Sequence, residues 1–196
     1  MIALNIKVND AVTPTLKRLQ SQLTDRTELN AKIAATAETL TRRYLIEVAA
    51  PVRHKTAERL GATPTGYLGR RANAIESRGT KDAAIVSLGS EADIFARVDG
   101  PVIVRARAAK FLTIPATAAA FGRRAREIGG LFPVTFKTGS KALVQKDGKK
   151  LKVFYWLKEA VTLPQDRELL PSDEGYEKAA ELAAQDFVDA LAGGDA

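Results

Sequence analysis

The 196-residue chain contains one histidine and no cysteine, so few side chains are equipped for chemistry. Without cysteine there is no thiol nucleophile, no disulfide framework and no cysteine-type zinc site, and the composition fits a reducing compartment. A single histidine, His54, cannot build a multi-histidine metal site. It stands among Arg53, Lys55 and Arg59, and it reads as a surface or packing residue rather than a general base. Gly139-Ser140-Lys141 has the look of a phosphate-binding loop, but the earlier glycine is missing and Ser precedes Lys. Gly66 and Gly69 lack the strand-to-helix setting of a dinucleotide fingerprint, and no serine sits in a GxSxG elbow. The expectation is a protein that is not an enzyme and uses no cofactor or metal.

Cationic clusters are the more informative feature. Arg70 and Arg71 follow Tyr67; Arg123, Arg124 and Arg126 follow Phe121; Lys146, Lys149, Lys150 and Lys152 precede Phe154, Tyr155 and Trp156. Lysine and arginine neutralise phosphates irrespective of base sequence, and neighbouring rings can stack on bases. The structural alternatives are a solvated surface, and lysines that guard a strand edge against unwanted pairing. From Met1 to Lys158 there are 28 Lys and Arg against 13 Asp and Glu, a balance of +15; from Glu159 onward there are 2 against 10, or −8. The net +7 therefore hides a basic body with an acidic end. Such a chain attracts polyanions, or stacks with copies of itself, acidic end to basic face.

The elements that must position these residues read as α+β. Ile2, Leu4, Ile6 and Val8 alternate as in a strand buried on one face. Pro14 to Leu23 reads as a short helix. Leu29, Ile33, Ala37, Leu40, Tyr44 and Val48 form one stripe on a long helix that Thr24 or Asp25 can cap and Pro51 interrupts. Val52 to Leu60 continues as a second helical piece ending at Gly61. Residues 61–82, with four glycines, read as a long exposed loop with one helical turn near Arg71 to Ile75. Extended runs come next at Ala84 to Leu88, Ile94 to Val98, Val102 to Ala106 and Phe111 to Ile114, with Asp99-Gly100 as a hairpin signal. A clearer hairpin joins Ala142–Lys146 to Lys149–Leu157 through Asp147-Gly148, with Leu151, Val153, Tyr155 and Leu157 on one face. After Ser172, residues Tyr176, Ala179, Ala180, Ala183, Phe187 and Leu191 form a helical face. The expected layout is one α+β domain over 1–171, its long amphipathic helix packed on an antiparallel sheet, followed by a C-terminal helix and acidic tail over 172–196. No apolar run approaches the roughly 20 residues of a membrane span, and the start MIALNIKVND lacks the pattern of a signal peptide.

One stretch is similar to a known pattern. Lys110-Phe111-Leu112-Thr113-Ile114-Pro115, followed by Ala120-Phe121-Gly122-Arg123, resembles the Lys-Tyr/Phe-Leu-Thr-Ile-Pro and Ala-Tyr/Phe-Gly-basic motifs of the neck or tail-completion family of tailed bacteriophages. The C-terminal helix and acidic tail are not part of that pattern. The resemblance implies a structural virion protein of the head-to-tail connection, assembled in the host cytoplasm as a homo-oligomeric ring of six copies around the DNA exit channel. Its partners would be other neck and tail proteins: a head-completion or stopper protein, a tail terminator and the tail tube. On this reading Tyr67, Arg70, Arg71, Lys110, Phe111, Phe121, Arg123, Arg124 and Arg126 are expected at subunit or partner contacts, and Lys146, Lys149, Lys150 and Lys152 toward packaged DNA. The alternative is a sequence-nonspecific nucleic-acid-binding protein.

Overall fold

The computed structural model describes residues 12–89 and 92–193. The strand expected over Ile2 to Val8 lies outside them. The fold is mixed α+β: a long helix, antiparallel sheets and a C-terminal helix. The chain divides into two compact units, one of Met1–Arg42, Ala74–Gly89 and Pro171–Ala196, the other of Arg43–Asn73 and Ser90–Leu170.

In the first unit, α1 (Val12–Thr24) precedes α2 (Thr27–Tyr44), and the Asp25 carboxylate accepts the Thr27 backbone N–H at 3.0 Å and its hydroxyl at 2.6 Å. Those bonds stabilise the charged carboxylate and lower its pKa. The N-terminal half of α2 packs on a two-stranded hairpin, β1 (Glu76–Gly79) and β2 (Ala84–Ser87). Contact there is close enough that a Cβ on Gly79 would stand 2.2 Å from the Ala31 nitrogen, so only glycine fits. Asn30 donates to the Thr80 carbonyl at 2.7 Å, tying helix to turn. The C-terminal helix α6 (Asp173–Gly193) contacts α1 and buries Ala179, Ala183 and Phe187, the face expected from its spacing. Thr41 is fully buried, and its hydroxyl lies 2.7 Å from the Ala37 carbonyl and 2.9 Å from the Tyr176 hydroxyl. Thr41 has one proton, which goes to Ala37, so Tyr176 is the donor of the second bond.

The second unit is built on a four-stranded antiparallel sheet of order β4-β7-β6-β5, comprising β4 (Leu112–Pro115), β5 (Phe132–Thr135), β6 (Lys141–Asp147) and β7 (Lys150–Lys158). A separate ribbon pairs β3 (Val102–Arg105) with β8 (Ala160–Leu163). After Tyr44 the chain enters a π turn, Leu45–Ala49, and then α3 (Ala50–Val52), α4 (Lys55–Leu60) and α5 (Tyr67–Ala72). The π turn admits an extra residue and so rotates the helical face of the residues beyond it. Leu45 and Ala49 are buried there, while Val48, expected on the buried stripe, is 49% exposed.

Several sequence expectations change. The segment 61–82 is not one loop: α5 and β1 fall within it, the first preceded by Gly66 at φ +64°, and Gly61 ends α4 at φ +63°. Ile94 to Val98 is part of a 3₁₀ helix, Ala92–Val98, so Asp99-Gly100 joins no hairpin. The partner of β3 is instead the distant β8, a pairing no local signal announces. The β6–β7 turn is the pair Gly148-Lys149, with Asp147 opposite Lys150 and Gly148 at φ +61°. A register shift at Leu143/Val144 leaves Phe154 as the extra residue of a bulge. Both Phe154 and Tyr155 are consequently buried, and Leu151 near the tip is 49% exposed.

Candidate functional site

Tyr67 and Phe121, which the sequence placed in two separate segments, line one cleft of about 790 Å³ in the second unit. The local chain explains how. Gly66, left-handed at φ +64°, turns the backbone into α5, whose Leu68 and Ala72 are buried and anchor it against the π turn. Arg70 then reaches back to donate to the Thr65 carbonyl, and the Arg71 guanidinium lies 4.9 Å from the Tyr67 ring centre. On the other wall, Gly122 at φ +75° lets the backbone pass close to Thr65: a Cβ there would stand 3.0 Å from its methyl group.

Residues 117–130 are folded onto the sheet. Two 3₁₀ turns, Ala118–Ala120 and Ala125–Glu127, are pinned by the buried Tyr155 hydroxyl, which lies 3.1 Å from the Ala120 carbonyl and 3.0 Å from that of Arg123. Burial raises the Tyr155 pKa, which keeps the phenol protonated as the donor this geometry requires. The Glu127 carboxylate accepts the Arg124 backbone N–H at 3.1 Å, and the Arg123 guanidinium donates to the Glu127 carbonyl at 2.9 Å. Beneath them Ala120, Phe154 and Tyr155 form a core with Ala125, Ile128, Leu131 and Leu143. Arg123, Arg124 and Arg126 remain exposed on this rigid turn.

The cleft floor carries a charged latch. Arg53, between α3 and α4, donates from Nε and Nη2 to the two carboxylate oxygens of Asp166, both at 2.8 Å. Arg97 lies 3.7 Å from the same carboxylate and donates to the Pro164 carbonyl at 2.9 Å. The hydrogen bonds from Arg53 lead in holding the Asp166 carboxyl below the usual carboxylate range, and Asp166 in turn raises the Arg53 pKa. A carboxylate committed to two guanidinium groups is a poor proton donor or acceptor near neutrality, so its role is to join Arg53, the 3₁₀ helix of Arg97 and the segment after β8. His54 lines the same cleft. Among the described residues there is no cluster of three or more His, Cys, Asp or Glu able to hold a metal.

The other candidate residues lie elsewhere in the unit. Lys110 and Phe111 precede β4, whose Leu112 pairs with Lys158 at one end of β7. Lys146, Lys149, Lys150 and Lys152 surround the turn at its other end, all exposed. The seven residues of β6 put about 20 Å between the two groups. They are separate surfaces. Sequence reasoning missed Arg53, Arg97 and Asp166, because a pair 113 residues apart leaves no local pattern.

Comparison with models of protein families, with curated proteins and with solved structures finds no match for this chain. No helix among the described residues is long and apolar enough to cross a membrane.

Proposed function

We propose that the chain is a structural protein of the head-to-tail connection of a tailed bacteriophage, a neck or tail-completion protein that works by shape and contact rather than catalysis. One observation carries the reading: the motif from Lys110 to Arg123. Those residues make a continuous piece, the edge strand β4 followed by the turn that Tyr155 pins. Two features of the second unit support it. The strands β4 and β5 each have one neighbour in the sheet, so a subunit offers two different edges. A ring of identical subunits needs two unlike, complementary surfaces on each copy. The cleft between Tyr67 and Phe121 supplies a concave surface of the size that accepts a partner's loop. In this reading the ring has six copies and meets a head-completion protein on one side and tail proteins on the other. Electron microscopy of particles assembled with the chain tests the role. Density at the portal-to-tail junction is expected, and its absence there refutes the reading.

A second reading, a sequence-nonspecific nucleic-acid-binding protein, is favoured by the exposure of Arg123, Arg124, Arg126 and the four lysines around the β6–β7 turn. It expects duplex DNA binding that weakens steeply with salt and falls further when the three arginines become alanine. Salt-insensitive or undetectable binding removes it.

A further inference from the structure

A second recess, about 470 Å³, lies at the end of the sheet away from the lysine-rich turn, where β6 begins and β7 ends. Its lining includes Phe111, Ser140, Lys141, Trp156, Lys158 and Glu159. The approach is open: Gly139, in the turn closed by the 2.8 Å bond from the Phe136 N–H to the Ser140 carbonyl, has nothing within 4 Å of where a Cβ would stand. Two ammonium groups flank one ring, Lys141 at 4.8 Å and Lys110 at 5.8 Å from the centre of Phe111. Trp156 is 38% exposed although it is the largest apolar side chain of the protein, and its ring is held at 50° to that of Phe136 at 5.8 Å. Lys141, paired with Leu157, and Lys158, on the Trp156 side of β7, thus line the recess from the two sides of the sheet's end, Lys110 stands against Phe111, and Glu159 is the one acid of the lining.

This combination differs from the lysine-rich turn, where Phe154 and Tyr155 are buried and only charge is on offer. Charge without rings attracts any polyanion; rings beside charge select unstacked bases, because every base has a π-face and duplex bases have theirs covered. The recess is also of nucleotide size and too small for a duplex. We propose that it binds single-stranded nucleic acid, one base stacking on Trp156 or Phe111 and adjacent phosphates meeting Lys110, Lys141 and Lys158. The proposal does not depend on the virion role.

Trp156 is the only tryptophan, so intrinsic fluorescence of the full chain reads this recess directly. Titration with an eight-nucleotide oligothymidylate is expected to give saturable quenching. Its affinity should fall with salt at a logarithmic slope of about −2, from about 0.7 per phosphate for three lysines. Lys141→Gln combined with Lys158→Gln removes two of the three phosphate partners and should weaken binding at least about tenfold and flatten the salt slope to about −0.7. Lys17→Gln, on exposed α1, should leave it unchanged. Phe111→Leu gives a second handle that keeps the charge and should also weaken binding. The proposal is overturned by absence of quenching, by equal quenching with a duplex of the same length, or by equal quenching with polyglutamate, which would assign the surface to an acidic protein segment.

Discussion

Asp166→Ala is the sharpest perturbation of the cleft. It deletes the acceptor of two 2.8 Å bonds from Arg53 and the anion beside Arg97, while leaving the Asp166 backbone N–H free to keep its 2.8 Å bond to the Arg97 carbonyl. The Arg53 and Asp166 side chains are 17% and 20% exposed, so the orphaned guanidinium stays largely out of water. Removing one partner of a fully buried pair costs about 3–5 kcal/mol; with this residual solvent access the loss should be about 2–3 kcal/mol. Urea unfolding at pH 7 measures it. The double variant Arg53→Met with Asp166→Leu should recover most of the loss, because no uncompensated charge remains, which gives a coupling of at least about 1 kcal/mol. The pH dependence has a definite sign. The folded pKa of Asp166 lies below the unfolded value of about 3.9, so its contribution is complete above that value and is lost as pH falls through the folded pKa. Wild type and Asp166→Ala should therefore differ most near neutrality and converge as pH falls through the lowered folded pKa of Asp166. A single-variant cost under about 0.5 kcal/mol, additive losses in the double variant, or a gap that persists in acid would each refute the latch.

The geometry sets three further outcomes. Tyr155→Phe should cost about 1–2 kcal/mol and, more tellingly, speed tryptic cleavage after Arg123, Arg124 and Arg126, because the hydroxyl that pins their turn is gone; unchanged cleavage there counts against it. Gly79→Ala should destabilise the first unit by about 3 kcal/mol or more, since the new Cβ meets backbone of α2 and not a flexible side chain; amide exchange over β1 and α2 shows it, and near-neutral behaviour contradicts the packing. Thr41→Val keeps the shape but leaves the Tyr176 hydroxyl without its acceptor. A loss of about 1–2 kcal/mol is expected in denaturant unfolding, and no loss would show that the bond is replaced by water.

Much of the fold was legible because it is written in local periods. The helical span of α2, the apolar face of α6, Gly61 at the end of α4 and the β6–β7 hairpin are patterns within a few residues, and each depends on dihedral preference or one-sided burial; the buried positions of α2 itself are Ala34 and Thr41 and not the expected stripe, whose Leu29, Ile33, Ala37, Leu40 and Tyr44 are half-buried. The errors have causes that lie mostly between elements. Four glycines in residues 61–82 suggested a loop, yet Gly66 starts α5 and Gly79 makes room for α2. Ile94 to Val98 is β-rich by composition but lies in a 3₁₀ helix, whose Arg97 meets the Pro164 carbonyl and Asp166. Of the site residues, the cationic and aromatic types were visible, but their grouping was not.

By itself the sequence determined composition-level chemistry: a cysteine-free, single-histidine, basic chain with an acidic end, an α+β order of elements and the Lys110 to Arg123 motif. Only the tertiary structure decided that Tyr67 shares a cleft with Phe121, that β3 pairs with β8, that Arg53 holds Asp166, and that Trp156 stands open while Tyr155 is buried. The physical reason is sequence distance. Helical and strand periods are imposed by neighbours along the chain, whereas an ion pair across 113 residues or a one-residue bulge that re-aims adjacent rings is imposed by packing between elements, which no local pattern encodes.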